Sequence, residues 1–428
     1  MKTIYTFILL TFLAAITSSA ATLLINGQIH TVSGEVISKG QILFEGDTIR
    51  EVGKNLKRPE GVTVVDAKGA HVYPGLIAST TAMGLVEVNA LRQTRDYNEV
   101  GSYTPDVFAW IAINPDSELL PVARANGITH FLPVPTGGTI TGYSGVIASS
   151  GWTIEEMATK PLAALHLMWP RMSLRTQPRE TFNDPSKWKP VADQKKDDEK
   201  QIREIHEFLG EARAYLKAKE AGEGYTETPA WEAMIPALKK ELPVIVHADS
   251  KRQIESALQF GKKFDLRIVI AGGLEADRLT NELVEQDVPV IYEHTFSLPQ
   301  SDEENYDHQF TAAQRLSKAG VKVAISMGNS GFDSALVRNL PYSAAQCVAY
   351  GLDPKEALKM ITLNPAQILG VGDQLGSIEP GKNATFFLSS GDILDIRHNP
   401  TRMWINGKEV SLESRHTKLY KKYKARPQ

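Results

Sequence analysis

Cysteine is nearly missing from this chain: of 428 residues only Cys347 is one. A single thiol excludes any intrachain disulfide and any metal site built from several cysteines. Positive charge is not in excess either, since 47 Lys and Arg face 50 Asp and Glu, for a formal net charge of −3. No basic footprint for nucleic acid or an anionic membrane surface is therefore expected. Long apolar runs are also scarce. The longest, Ile4–Ile16 within "MKTIYTFILLTFLAAITSSA", falls short of the roughly 18 residues that span a bilayer. Two nucleotide and hydrolase signatures are missing as well. The Gly-rich stretch "VPTGGTITGYSGVIASSGWTIEEM" lacks the lysine of a phosphate-binding loop and the Gly-x-Ser-x-Gly of a serine-hydrolase elbow. It is expected to be an ordered loop crossing the mouth of whatever sheet follows it.

What is present begins with that first apolar run. Lys2 precedes it, and Ser18-Ser19-Ala20 before Ala21 follows it, which is the pattern of a cleaved signal peptide over residues 1–20. A secreted chain is expected, periplasmic in a Gram-negative source. Removing that segment takes away one lysine and no acid, so the mature chain is one unit more negative.

Residues 21–72 alternate apolar and polar positions, with Asn26-Gly27 and Glu45-Gly46-Asp47 placed as turns. The same texture returns in residues 376–428, where Asn406-Gly407 echoes the first turn and a basic tail, "RHTKLYKKYKARPQ", is expected to fray. Between them, over 73–375, short apolar strands alternate with amphipathic helical stretches. Strand candidates are "GITHFLPVP", "LPVIVHAD", "LRIVIAGG", "VPVIYEHTF" and "VKVAISMGN". Continuous apolar runs of this kind suit parallel strands buried on both faces. The pattern predicts an α/β protein: a (β/α)8 TIM-like barrel plus a small β-sandwich domain formed from both chain ends. A charged excursion at about 175–227 interrupts it and reads as a solvated helix, with Thr228 capping the helix that opens at Pro229.

The order of particular words carries a resemblance. "LLINGQIHTVSGEVISKGQILFEGDTIREVG", "VVDAKGAHVYPGLI", "VIVHAD", "VRNLPYSAA", "GLDPKEALKMITLNPAQILGV", "LGSIEPGKNATFFLSS" and "MWINGKEV" run through almost the whole mature chain. Together they resemble the amidohydrolase superfamily, in its imidazolonepropionase-related branch. The resemblance implies one or two divalent metals at the carboxyl ends of the barrel strands. It implies two His ligands from the first strand, often a carboxylate or carbamylated lysine from the fourth, single His from the fifth and sixth, and an Asp from the eighth. Bound water would then attack a C–N bond.

Most of those positions have changed here. In "YPGLIASTTAMG" the family's Asp is Ala78 and its His-x-His is Thr80 and Ala82. "IVIAGGLEA" offers Ala271, Gly272 and Gly273 at the sixth strand, and "VAISMGNSG" offers Met327, Gly328 and Asn329 at the eighth. His247 is the only retained family position. A catalytic zinc takes three protein ligands, so no metal in the standard form is expected, and zinc is implied only by a relocated site.

Candidate catalytic residues are His247, Asp249, Glu275 and His294, all at expected strand ends. Glu293 and His294 are neighbours, and strand alternation allows one of them at most to face the mouth. His130 and His166 read more readily as hydrogen-bonded structural residues. Arg92, Arg95 and Arg338 are candidates for binding a carboxylate on the substrate. Two functions stand beside each other. One is an exported hydrolase of a non-peptide or peptide-like C–N bond, catalytically impaired or non-standard. The other is a non-catalytic homologue that binds a ligand or partners an active amidohydrolase paralogue. The expected partners are a small or peptide-like molecule, further copies of the chain, or such a paralogue, with no nucleic acid and no membrane.

Overall fold

The computed structural model describes residues 21–178, 185–222 and 224–427. The leader expectation at 1–20 lies outside them. Among the described residues sixteen strands form two sheets. In chain order they are β1 (Thr22–Ile29), β2 (Ile37–Glu45), β3 (Thr48–Gly53), β4 (Thr63–Asp66), β5 (His71–Pro74), β6 (Leu76–Thr81), β7 (Ile128–Pro133) and β8 (Ile140–Ala148). There follow β9 (Ala158–Met168), β10 (Val244–Ala248), β11 (Ile268–Gly272), β12 (Val290–Tyr292), β13 (Val323–Ile325), β14 (Phe386–Ser389), β15 (Pro400–Ile405) and β16 (Lys408–Val410). No described helix is long and apolar enough to cross a membrane.

The first sheet joins the two chain ends in the order β16-β15-β14-β5-β1-β2-β3, with β4 also paired to β1. Strand β14 lies antiparallel to β5, placing Phe387 opposite Tyr73. Leu24, Ile42, Phe44, Val72, Phe386 and Trp404 fill its core, so neither end of the chain can form this layer alone. The Asn406-Gly407 pair makes the expected two-residue turn, both residues at positive φ. Asn26-Gly27 does not. It sits inside β1, where Asn26 at φ 60° marks a register shift against β2, a bulge with no reversal of direction.

The second sheet runs β13-β12-β11-β10-β9-β8-β7-β6 and is the barrel, with one strand, β8, antiparallel to both neighbours. Its interior is lined by Ile77, Leu132, Val146, Ala164, Ile245, Val269, Ile291 and Ala324, with Ile368, Leu369 and Leu375 in the same cluster. The five apolar runs became β7, β10, β11, β12 and β13. The Gly-rich segment is not simply the expected loop: its middle, Ile140–Ala148, is β8, buried along its whole length. Small residues there make room for neighbouring backbone of the same chain and do not mark a turn. A Cβ on Gly142, at φ 107°, would lie 2.4 Å from the Val107 carbonyl oxygen.

The charged excursion holds the helix Val191–Ala221, which buries Ile205, Leu209, Ala212 and Tyr215 along one stripe and ends at Gly222 in the left-handed region. Thr228 does not cap the next helix, Pro229–Leu238, through its side chain. Its hydroxyl donates instead to the Thr226 carbonyl at 3.1 Å. The basic tail is a helix over Arg415–Lys424, not frayed coil, because Ser414 and Thr417 form a reciprocal capping box.

Gly142→Ala is expected to destabilise the protein by about 2–4 kcal/mol, since the new methyl meets backbone in a conformation that L residues rarely adopt. Gly210→Ala, in open space on the long helix, is expected to stabilise it by about 0.5–1 kcal/mol. Denaturant unfolding of the two variants checks both.

Candidate active site at the barrel mouth

The carboxyl ends of β6, β10, β12 and β13 bring three groups of polar side chains together. The first is a chain of imidazoles. His166, on β9, is fully buried; its Nε2 lies 2.6 Å from Ser144 Oγ on β8 and its Nδ1 lies 3.0 Å from His247 Nε2 on β10. His247 Nδ1 in turn lies 3.4 Å from the Asn329 amide nitrogen. The contacts agree when each group donates to the next: Asn329 to His247, His247 to His166, and His166 to Ser144. Burial drives the His247 imidazole down to about 4 and pushes His166 well below the usual range, so both are neutral near pH 7.

The second group is Asp249, His294 and Ser297. Asp249 Oδ1 accepts from His294 Nε2–H at 2.7 Å, and His294 Nδ1 lies 3.1 Å from Ser297 Oγ. Gly272 ends β11 at φ 91°, and a Cβ there would lie 2.4 Å from Asp249 Oδ1, so the carboxylate occupies space that only glycine leaves open. The Asp249 side chain is 52% exposed and that of His294 is 22% exposed. Burial works against the His294 imidazolium, but the hydrogen bond to Asp249 and the nearby carboxylates outweigh it and raise the group above the ordinary imidazole range. Burial likewise opposes the Asp249 carboxylate, and the bond from His294 outweighs it, holding the acid below its usual value.

The third group is Glu293, Thr80 and Ser326. Glu293 Oε1 is hydrogen-bonded to Thr80 Oγ1, which lies 2.9 Å from Ser326 Oγ. Ser326 Oγ donates to the Thr80 carbonyl at 2.9 Å and accepts from the Thr80 N–H at 3.1 Å. Every contact is satisfied when Glu293 is protonated: it donates to Thr80 Oγ1, whose own hydrogen passes to Ser326. Burial raises the Glu293 carboxyl to about 7, and the neighbouring carboxylates Asp249 and Asp333 push the same way. Glu293 and His294 thus both reach the mouth, against the expectation from alternation. Strand β12 stops at Tyr292, so the two residues no longer follow the pleat.

The remaining candidates are distributed differently. Glu275 turns away: its Oε2 accepts from the Lys251 N–H at 2.7 Å, at the start of the helix Lys251–Lys263, and its Oε1 pairs with Arg278 at 3.0 Å. Arg92 and Arg95 line a cleft of about 520 Å³ with Tyr97, Asn98, Glu99 and Thr136, formed by the loops after β6 and β7. Arg338 is not part of that cleft; it sits in the turn Val337–Asn339. His130 is buried with both ring nitrogens 3.1 Å from threonine hydroxyls, those of Thr129 and Thr159.

The family's metal does not fit these residues. Thr80 is committed to Glu293 and Ser326, and both nitrogens of His247 face protein groups. Among the described residues no three His, Cys, Asp or Glu side chains gather in a way that would hold a metal ion, so no relocated site replaces the inherited one. Ser144, Ser297 and Ser326 belong to the three groups but were not among the candidates read from the sequence, whereas Glu293 was weighed there beside His294 and Asn329 was noted at the eighth strand.

The sequence profile of the amidohydrolase family matches residues 125–410, and the chain belongs to that family. It is 21% identical over 404 residues to the amidohydrolase tasK of Hapsidospora irregularis, a match that covers 86% of this chain and 39% of that protein. It is 35% identical over 104 residues to an imidazolonepropionase of Aromatoleum aromaticum, covering 23% of this chain and 25% of the relative. The chain thus spans about two fifths and one quarter of the lengths of these relatives. Among solved structures it resembles an amidohydrolase of Thermotoga maritima, with a TM-score of 0.78 and 27% identity, covering 91% of this chain and 99% of the other.

The raised Glu293 carboxyl has a consequence for stability. Its value in the folded protein exceeds its ordinary 4.5, so the native state holds the proton more tightly than the unfolded chain. Stability is therefore expected to fall as pH rises from about 4.5 through 7, by up to about 3 kcal/mol. Glu293→Gln keeps a donor toward Thr80 and cannot ionise. Its loss of melting temperature between pH 5 and pH 8 is expected to be clearly smaller than that of the wild type.

Proposed function

We propose that this chain hydrolyses a C–N bond of a peptide-like amide at the barrel mouth, through the Asp249–His294 pair and the Glu293 carboxyl in place of a metal centre. The 2.7 Å contact between Asp249 and His294 carries this reading. Asp249 holds one ring nitrogen of His294, so the other is turned toward a nucleophile whose proton it can take. The imidazolium that forms is stabilised by the carboxylate. Glu293 carries a proton near neutrality and supplies it to the leaving nitrogen. Arg92 and Arg95 suit an acidic group on the substrate.

General acid–base catalysis contributes about 10²–10⁴-fold, less than the same chemistry aided by a metal, so slow turnover is expected. Protein freed of metal by a chelator is expected to cleave members of an N-acyl-amino-acid and dipeptide panel. His294→Ala and Asp249→Asn should each lower kcat at least about tenfold. Turnover lost on chelation and restored by zinc would overturn the reading.

A second reading is supported by two observations. Thr80 and Ala82 have no imidazole to offer, and the tasK match occupies 39% of a longer amidohydrolase. In this reading the chain is a silent partner of an active paralogue, and it predicts ligand binding with no turnover across the panel. We also infer export from residues 1–20, to the periplasm in a Gram-negative source. Amino-terminal sequencing of the mature protein is expected to begin at Ala21.

A further inference from the structure

His294 uses only one of its nitrogens for Asp249. The other, Nδ1, faces Ser297 Oγ at 3.1 Å. Ser297 lies three residues on, in a turn closed by its own N–H donating to the His294 carbonyl at 3.0 Å. Asp249 comes from the end of a different barrel strand, 45 residues earlier. Carboxylate, imidazole and hydroxyl therefore stand in line because the barrel brings β10 and β12 into one sheet. A nucleophile within reach of a base, with the base held by a third group, is the arrangement that activates a hydroxyl. The hydroxyl is also placed to be reached: Ser297 is partly exposed, and its neighbours Phe296 and Leu298 are 52% and 74% exposed.

We propose that Ser297 is the nucleophile of this site and forms an ester with the acyl part of the substrate. The inference rests on the C–N hydrolase reading above. In the first half-reaction Ser297 Oγ bonds to the amide carbon while His294 Nδ1 takes its proton, and the carbonyl electron pair moves to oxygen. The pair then returns, the C–N bond breaks, and the amine leaves with a proton from the imidazolium or from Glu293. In the second half-reaction water attacks the ester and His294 takes its proton. The C–Oγ bond breaks, and Ser297 recovers the hydrogen. The net change is amide plus water to carboxylic acid plus amine. If Glu293 donated in the first half, the proton left on His294 returns to it.

The test uses the mature chain, freed of metal, and an active-site-directed fluorophosphonate. One adduct per chain is expected, mapped to Ser297 by peptide mass spectrometry, with turnover lost in proportion to labelling. Ser297→Ala is expected to remove the adduct and lower kcat about 10³-fold with KM little changed and melting temperature intact. A mere turn-forming role for Ser297 would move the melting temperature and leave kcat in place. Full turnover in Ser297→Ala beside lost turnover in His294→Ala would overturn the serine and leave the acid–base reading standing. Absence of both adduct and turnover in the wild type would overturn the two together.

Discussion

The mouth of this protein depends on closing a ring whose first and last strands do not pair by a backbone ladder. Strands β6 and β13 end the barrel sheet, and side chains bridge them. The Ser326 hydroxyl takes the Thr80 N–H and returns a bond to the Thr80 carbonyl, doing the work of two ladder bonds. Apolar layers below, from Ile77 to Ala324, supply the burial that makes closure favourable. Unless the ring closes, Thr80 cannot meet Glu293, and the loops after β6 and β13 do not share a surface.

Closure also creates an electrostatic problem at the same place. Asp249 and Asp333 both act on the Glu293 carboxyl across the mouth, and all three carboxyls act on His294. Three carboxylates in a partly desolvated space repel unless something compensates. The protein uses two devices. His294 donates its Nε2–H to Asp249, while Glu293 keeps its own proton among the hydroxyls of Thr80 and Ser326. The neutral His247–His166–Ser144 chain adds polar groups that are satisfied without adding charge. Two carboxyls, an imidazole and a hydroxyl thereby stand within one cluster.

Family likeness and local chemistry point in different directions here, and the residues show why both are true. The apolar layers inside the barrel and in the two-ended sheet set the fold by their packing. Thr80, Ala82, Ala271 and Met327 depart from the family's pattern, while Ile77, Val269 and Ala324 fill the barrel. A scaffold of this kind can therefore keep its architecture through a change of chemistry at its mouth.

Linear order was enough to settle the architecture. Runs such as "LPVIVHAD" and "VKVAISMGN" announce buried strands because their clustered apolar residues have nowhere else to go. The paired β textures at both ends, the candidate position of His247, and the substitutions at Thr80 and Ala82 were equally readable. Strand β8 was not, since its Gly and Ser residues look like turn chemistry until Val107 is seen pressed against Gly142. Nor was the joint appearance of Glu293 and His294, because nothing in the letters says that β12 stops at Tyr292. Glu275 looked equivalent to Asp249 in one dimension, yet a helix start claims its carboxylate. Hydrogen-bond partnership and burial are properties of groups far apart along the chain, so folding alone could assign which carboxyl keeps its proton and which imidazole faces a carboxylate.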